Sequence, residues 1–125
     1  MKKELFAGAL LFVLIAGCAW NLWYLTRMCT QLDNAVAQAE TSYAAGDPAR
    51  AVETLRAAAA RWSDAEDYAH CMLPHESTDA VTEGFRRAIR TVETGDAFAA
   101  ADIDLLRVRI QALADGERIT LGNIF

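Results

Sequence analysis

Twenty-one consecutive residues, Leu5 to Leu25, carry no charged side chain and only one strongly polar one, Asn21. As a helix rising 1.5 Å per residue this run is about 30 Å long, which matches the hydrocarbon core of a bilayer. Trp20, Trp23 and Tyr24 gather at its C-terminal end and Arg27 closes it, the arrangement of an aromatic belt at the headgroup layer. At the other end Lys2, Lys3 and the terminal amine outweigh Glu4, whereas Arg27 is soon followed by Asp33 and Glu40. The positive-inside rule then predicts a cytoplasmic N-terminus at residues 1–4, a span at residues 5–25, and a domain outside the membrane at residues 26–125.

The same stretch holds a second pattern. A basic start, an apolar stretch and Ile15-Ala16-Gly17-Cys18 have the form of a lipid-modified signal peptide, which would anchor the chain through Cys18. A lipid anchor usually hands over to a polar tether, but here Ala19-Trp20-Asn21-Leu22-Trp23-Tyr24-Leu25 continues the apolar segment. The uncleaved span therefore fits better, with Cys18 a small apolar residue inside it and Gly8 and Gly17 permitting close helix contacts. Both patterns tether the same domain to the same face.

Beyond Arg27 the chain has nine arginines, no lysine and sixteen acidic residues, a net charge of −7. Such a charge repels a phosphate backbone and makes nucleic acid an unsuitable partner. Alanine is abundant there while glycine, proline and β-branched runs are scarce, which predicts an all-α domain. About 100 residues suffice for one modest core.

From Leu25 the apolar positions Leu25, Met28 or Cys29, Leu32, Val36, Ala39 and Tyr43 recur at gaps of three and four, so the spanning helix continues outward as an amphipathic one over about residues 26–45. Gly46-Asp47-Pro48 predicts its end. Gly46 suits a left-handed C-terminal position, Asp47 caps the next helix with its carboxylate, and Pro48 fits the first helical turn. A second helix over residues 48–72 places Val52, Leu55, Ala59, Trp62, Ala65, Ala69 and Met72 on one face and stops before Leu73-Pro74. The third, residues 76–94, turns Val81, Phe85, Ala88, Ile89 and Val92 inward, and Gly95-Asp96 repeats the earlier turn. For the fourth, residues 97–114, the apolar face is centred on Phe98, Ala101, Leu105, Val108 and Ala112, flanked by Ile103, Leu106, Ile110 and Leu113, with Asp115-Gly116 ending it before a short apolar tail. The expected architecture is an N-terminal transmembrane helix that continues into two antiparallel helical hairpins, four helices in all.

Hairpin register about Gly46-Asp47 sets Met72 level with residue 21, so the second helix reaches down to the aromatic belt. His70, Cys71, Leu73, His75, Glu76 and the C-terminal tail then meet at the membrane-proximal end. His70, Cys71, His75, Glu76 and Asp79 are the one concentration of metal-ligand types, with His75 and Asp79 at helical spacing. Against a metal site, Pro74 breaks the helix between the two histidines, and Glu76 and Asp79 sit in a first turn where negative charge opposes the helix dipole favourably. No metal or cofactor is expected. Cys29 lies level with residue 64, seven positions or about 10 Å from Cys71 along the axis, too far for a disulfide whose Cα atoms stand within about 7 Å. No nucleophile, base and acid set, phosphate loop or zinc-protease motif is present, so no enzymatic activity is expected. Arg86, Arg87 and Arg90 form a local basic face suited to solvent, neighbouring carboxylates or lipid headgroups.

These features together resemble a bacterial family catalogued as domain of unknown function four-three-six-three. The resemblance rests on the N-terminal span, the Gly46-Asp47 turn followed by Ala51, Leu55 and Trp62, the His75-Glu76 pair with Asp79, and the closing Leu121-Gly122-Asn123-Ile124-Phe125. It implies a single-pass protein of a bacterial cell membrane with a helical domain outside. It lends no support to a role for Cys18, Cys29 or Cys71, and the alanine and arginine content departs from the lysine and glutamate more usual in relatives. Membrane lipid is the expected partner, with another membrane or envelope protein as the second. The function expected is that of a structural or protein-interaction module, the rivals being a metal- or redox-linked site at the His70 to Asp79 junction and a lipoprotein anchored at Cys18.

Overall fold

A computed structural model shows four helices in chain order: α1 Lys2–Ala44, α2 Pro48–Met72, α3 His75–Thr94 and α4 Ala99–Ile124. It describes residues 1–72 and 75–124, the side chains of His70, Met72 and residues 116–124 excepted. Among the described residues there is no strand. The apolar run and the first amphipathic stripe form one uninterrupted 43-residue helix, as the unbroken periodicity across Leu25 requires.

Two turns of the same kind close the hairpins. At the first, Gly46 has φ +84°, the Gly46 N–H bonds to the Tyr43 carbonyl at 3.1 Å, and the Asp47 N–H bonds to the Ser42 carbonyl at 2.9 Å. At the second, Gly95 has φ +68°, with the Gly95 N–H on Val92 at 3.3 Å and the Asp96 N–H on Thr91 at 2.9 Å. This paired bonding satisfies carbonyls that a helix end leaves open, and it needs a residue that tolerates positive φ. The two aspartates then diverge. Asp47 Oδ1 accepts from the Arg50 N–H at 3.2 Å and caps α2 directly, with Pro48 as its first residue. Asp96 Oδ1 accepts from the Phe98 N–H at 2.9 Å, which holds a further turn, and α4 starts at Ala99 instead of 97. Alanine at 97 lacks the fixed φ that lets Pro48 start a helix at once.

Each helix packs on two neighbours: α1 on α2 and α4, and α3 on α2 and α4. Short connections make neighbours antiparallel, and the result is a four-helix up-and-down bundle. Its core comprises Leu25, Leu32 and Val36 of α1, Leu55 and Trp62 of α2, Val81 and Phe85 of α3, and Ile103, Leu106 and Ile110 of α4, among others.

Three expectations are corrected. In α2 the buried line runs through Ala51, Leu55, Ala58, Trp62, Ala65 and Ala69, with Val52 and Ala59 only partly covered; with alanine on both sides of the stripe, hydrophobicity alone does not fix its centre. In α4 the buried face is Ala99, Ile103, Leu106, Ile110 and Leu113, whereas Phe98, Leu105 and Val108 are exposed. The helix offers two apolar stripes, and the one bearing the longer aliphatic chains faces the core. Finally, α4 does not end at Asp115-Gly116 but runs to Ile124. One interior glycine costs only about 1 kcal/mol of helix propensity, and the residues on either side sustain the helix. How residues 116–125 pack lies outside the described side chains.

Candidate functional site

Every residue from Met1 to Trp20 is exposed, and the first buried side chain of α1 is Leu25. The apolar half of α1 thus projects from the bundle with nothing packed upon it, long and apolar enough to cross a membrane. Cys18 lies on this projecting half, exposed, within continuous helix.

Where the helix enters the bundle, an aromatic collar forms. Trp20 and Trp23 stand with ring centroids 5.4 Å apart, and the Arg27 guanidinium lies over the Trp23 ring, 5.1 Å from its centroid. Tyr24 packs edge-on against Tyr68 of α2 at 5.4 Å, and the Tyr68 hydroxyl donates to the Asn21 side-chain carbonyl. The hairpin register is therefore as the turn predicts: α2 descends to the level of residue 21. Asn21, the one polar residue of the run, meets a partner from the second helix at this boundary. Tyr68 lies off the apolar stripe of α2, yet the same register sets it level with residue 25, beside Tyr24.

The junction between α2 and α3 is at the same end. Cys71, next to last in α2, is exposed, and His75, Glu76 and Asp79 are exposed on the first turns of α3. His75 is itself the first residue of α3, one earlier than expected. Its carbonyl accepts from Thr78 Oγ1 at 3.0 Å, and Glu76 occupies the first turn, where its charge complements the helix dipole. Leu73, Pro74 and the His70 side chain lie outside the described residues. Among those described, no three His, Cys, Asp or Glu side chains converge on a point where a metal would sit. Cys29 is buried in the core while Cys71 is exposed, so the two thiols occupy different environments.

Polar links join the helices, and of these the sequence announces only that the face of Arg86, Arg87 and Arg90 suits neighbouring carboxylates. Arg107 of α4 spans to α1, its Nε donating to Asp33 at 3.2 Å and its Nη1 to Glu40 at 3.1 Å. Those hydrogen bonds, Asp33 first, push the guanidinium above its already high range. Arg109 donates to the Ala80 carbonyl at 3.0 Å, tying α4 to α3, and Arg56 pairs with Glu93 between α2 and α3. Within the basic face, Arg87 approaches Asp102 of α4 at 3.9 Å. The signal available in advance was charge type alone, and pairing across helices requires their order around the bundle.

Comparison with known proteins places the chain. The model of the family described as Domain of unknown function (DUF4363) matches residues 19–124. That covers most of the chain, and the chain belongs to this family. No curated protein and no solved structure matches it.

Proposed function

We propose that this member of the family is a single-span protein of a bacterial cell membrane, N-terminus in the cytoplasm, whose helical bundle stands outside and serves as a structural or protein-interaction module. One observation carries the reading: about 24 Å of apolar helix over residues 5–20 is wholly exposed and leads into a collar of Trp20, Trp23, Tyr24 and Tyr68. Leaving such a surface in water forfeits about 1.5–3 kcal/mol for each large apolar side chain, which burial in lipid recovers. Tryptophan and tyrosine favour the headgroup layer, where ring and polar edge are both accommodated. The orientation follows from Lys2, Lys3 and the terminal amine at one end against an acidic domain at the other.

Support for an interaction role comes from the surface. Arg56, Arg107 and Arg109 are taken up in links between the bundle's own helices, and no constellation for acyl or phosphoryl transfer is present in the sequence. What the bundle offers outward is an acidic surface with an apolar stripe along α4. The orientation is tested by adding protease to intact cells or spheroplasts and to inverted vesicles. Digestion of the bundle in the former and protection in the latter is expected; the reverse pattern rejects it. Intact-mass measurement of the membrane-extracted chain tests the span itself. The unprocessed mass is expected, and loss of residues 1–17 with acylation of Cys18 would replace the span with a lipid anchor.

A further inference from the structure

The outward face of α4 carries an apolar stripe that no other helix covers. Within α4 Val108 is 52% exposed and Leu105 39%, with Ala101 and Ala112 exposed beside them, and Phe98, in the turn just before the helix, is 70% exposed. These five positions alternate gaps of three and four, the seam spacing of a two-helix coiled coil. Their exposure contrasts with the parallel set Ala99, Ile103, Leu106, Ile110 and Leu113, buried in the bundle. So α4 has two apolar faces and the fold consumes one.

The charges beside the seam specify the occupant. With Leu105 at an a position, Asp104 is the preceding g residue and Arg109 the following e residue. In a parallel, in-register pair, a g side chain of one helix faces the e side chain five positions further along the other. Asp104 of each copy then faces Arg109 of its mate, two opposite-charge pairs related by symmetry. The remaining flanking pair within the helix sets Gln111 opposite Gly116, so no like charges meet along the seam. Asp115 would fall at the next d position, where two carboxylates would oppose one another, and this ends the seam at Ala112. Arg109 is half-buried, with Nη1 on the Ala80 carbonyl; a guanidinium has five N–H donors in all, leaving capacity for a second acceptor.

We propose that a second copy of this chain docks here, α4 against α4, as a parallel twofold dimer. The parallel sense rests on the anchored reading above, since copies held by the same span stand in the same orientation. Confinement to a membrane also lowers the entropic cost of association, so a short seam suffices.

The test uses the full chain in its membrane with Cys18→Ala and Cys71→Ser, keeping buried Cys29, and adds one cysteine by Ala101→Cys or Ala112→Cys. Under mild oxidation each variant alone is expected to give a disulfide-linked dimer, and Ala100→Cys, off the seam, is expected to give none. Adding Asp104→Arg should lower the dimer yield about fivefold, the equivalent of two ion pairs worth about 0.5 kcal/mol each, and Arg109→Asp in the same chain should restore it. Cross-links that form only when the two cysteine variants are mixed would mean an antiparallel pair and would overturn the proposal. Absence of cross-links would overturn it too, whether the cysteines react freely with a maleimide, marking a bare surface, or resist it, marking a different occupant. Protease accessibility in the same membranes scores orientation separately: a reversed domain that still cross-links rejects the topology and keeps the dimer, and the converse rejects the dimer alone.

Discussion

The indole N–H of Trp62 donates to Thr82 Oγ1 at 2.9 Å, joining α2 to α3 across the seam between the two hairpins. Trp62 is 2% exposed, so its N–H has no route to water. The Thr82 hydroxyl accepts from the indole while its own hydrogen has two acceptors in reach, Glu66 Oε1 and the Thr78 carbonyl, both at 3.1 Å. Thr82→Val keeps the shape and removes the acceptor, stranding a buried donor. The expected loss is about 1–3 kcal/mol of unfolding free energy, and Thr82→Ser should lose less than half as much. Chemical denaturation followed by circular dichroism measures both, and equal losses would show that the methyl group matters more than the bond.

Gly84 of α3 lies against Leu106 and Arg109 of α4. A Cβ there would stand 2.9 Å from Leu106 Cδ1, and Leu106 is fully buried, so its side chain has little room to withdraw. Two effects compete in Gly84→Ala: a gain of about 1 kcal/mol in helix propensity and an overpacking cost of about 1–3 kcal/mol. Net destabilisation of about 1 kcal/mol is expected. In a Leu106→Ala background the clash is gone and the same substitution should become stabilising, a sign reversal that a double-mutant cycle reads directly.

Arg107 holds α4 to α1 through two carboxylates at once. A planar guanidinium can address Asp33 and Glu40 from different nitrogens, whereas an ammonium serves as one compact charge. Arg107→Lys is therefore expected to cost about 1 kcal/mol, nearly as much as Arg107→Ala, with part of the effect vanishing at 1 M salt because the cluster is partly exposed. Thermal unfolding of the three chains at low and high salt measures it; a lysine variant as stable as the parent would show that one carboxylate suffices.

Much of this fold is legible along the chain, because helix ends and helical period are local properties. Gly46 and Gly95 announce turns through a conformation that few other residues adopt, and the register about the first of them carries Tyr68 to Tyr24 without further information. The α4 face was not legible for a physical reason. Phe-Ala-Leu-Val-Ala spacing on one side and Ala-Ile-Leu-Ile-Leu on the other give two stripes of similar character, and which one is buried depends on where α1 and α3 lie. The links from Arg107, Arg109 and Arg56 share that dependence. At the α2 to α3 junction, residue types suggested ligands, but Cys71, His75, Glu76 and Asp79 all face solvent, and gathering them would require a geometry that residue type does not encode.

The boundary between anchor and bundle gives the last prediction. No side chain before Leu25 is buried, whereas Leu25, Met28, Cys29 and Leu32 are all at most 9% exposed. A chain beginning at Asn21 thus loses the exposed apolar residues 5–20 and none of the core, keeping also the Asn21 to Tyr68 and Tyr24 to Tyr68 contacts. It is expected to stay in solution without detergent, with helical circular dichroism and one cooperative transition. A chain beginning at Asp33 loses four core side chains at about 1.5–3 kcal/mol each, on the order of 6–12 kcal/mol against a typical total of about 5–15 kcal/mol. That chain should show no cooperative unfolding at all. If the Asp33 chain melts as sharply as the Asn21 chain, the lower turns of α1 are not part of the bundle's core. If the Asn21 chain instead stays insoluble without detergent, apolar surface other than residues 1–20 dominates its behaviour, and the exposed stripe of α4 becomes the first place to introduce a charge, at Val108.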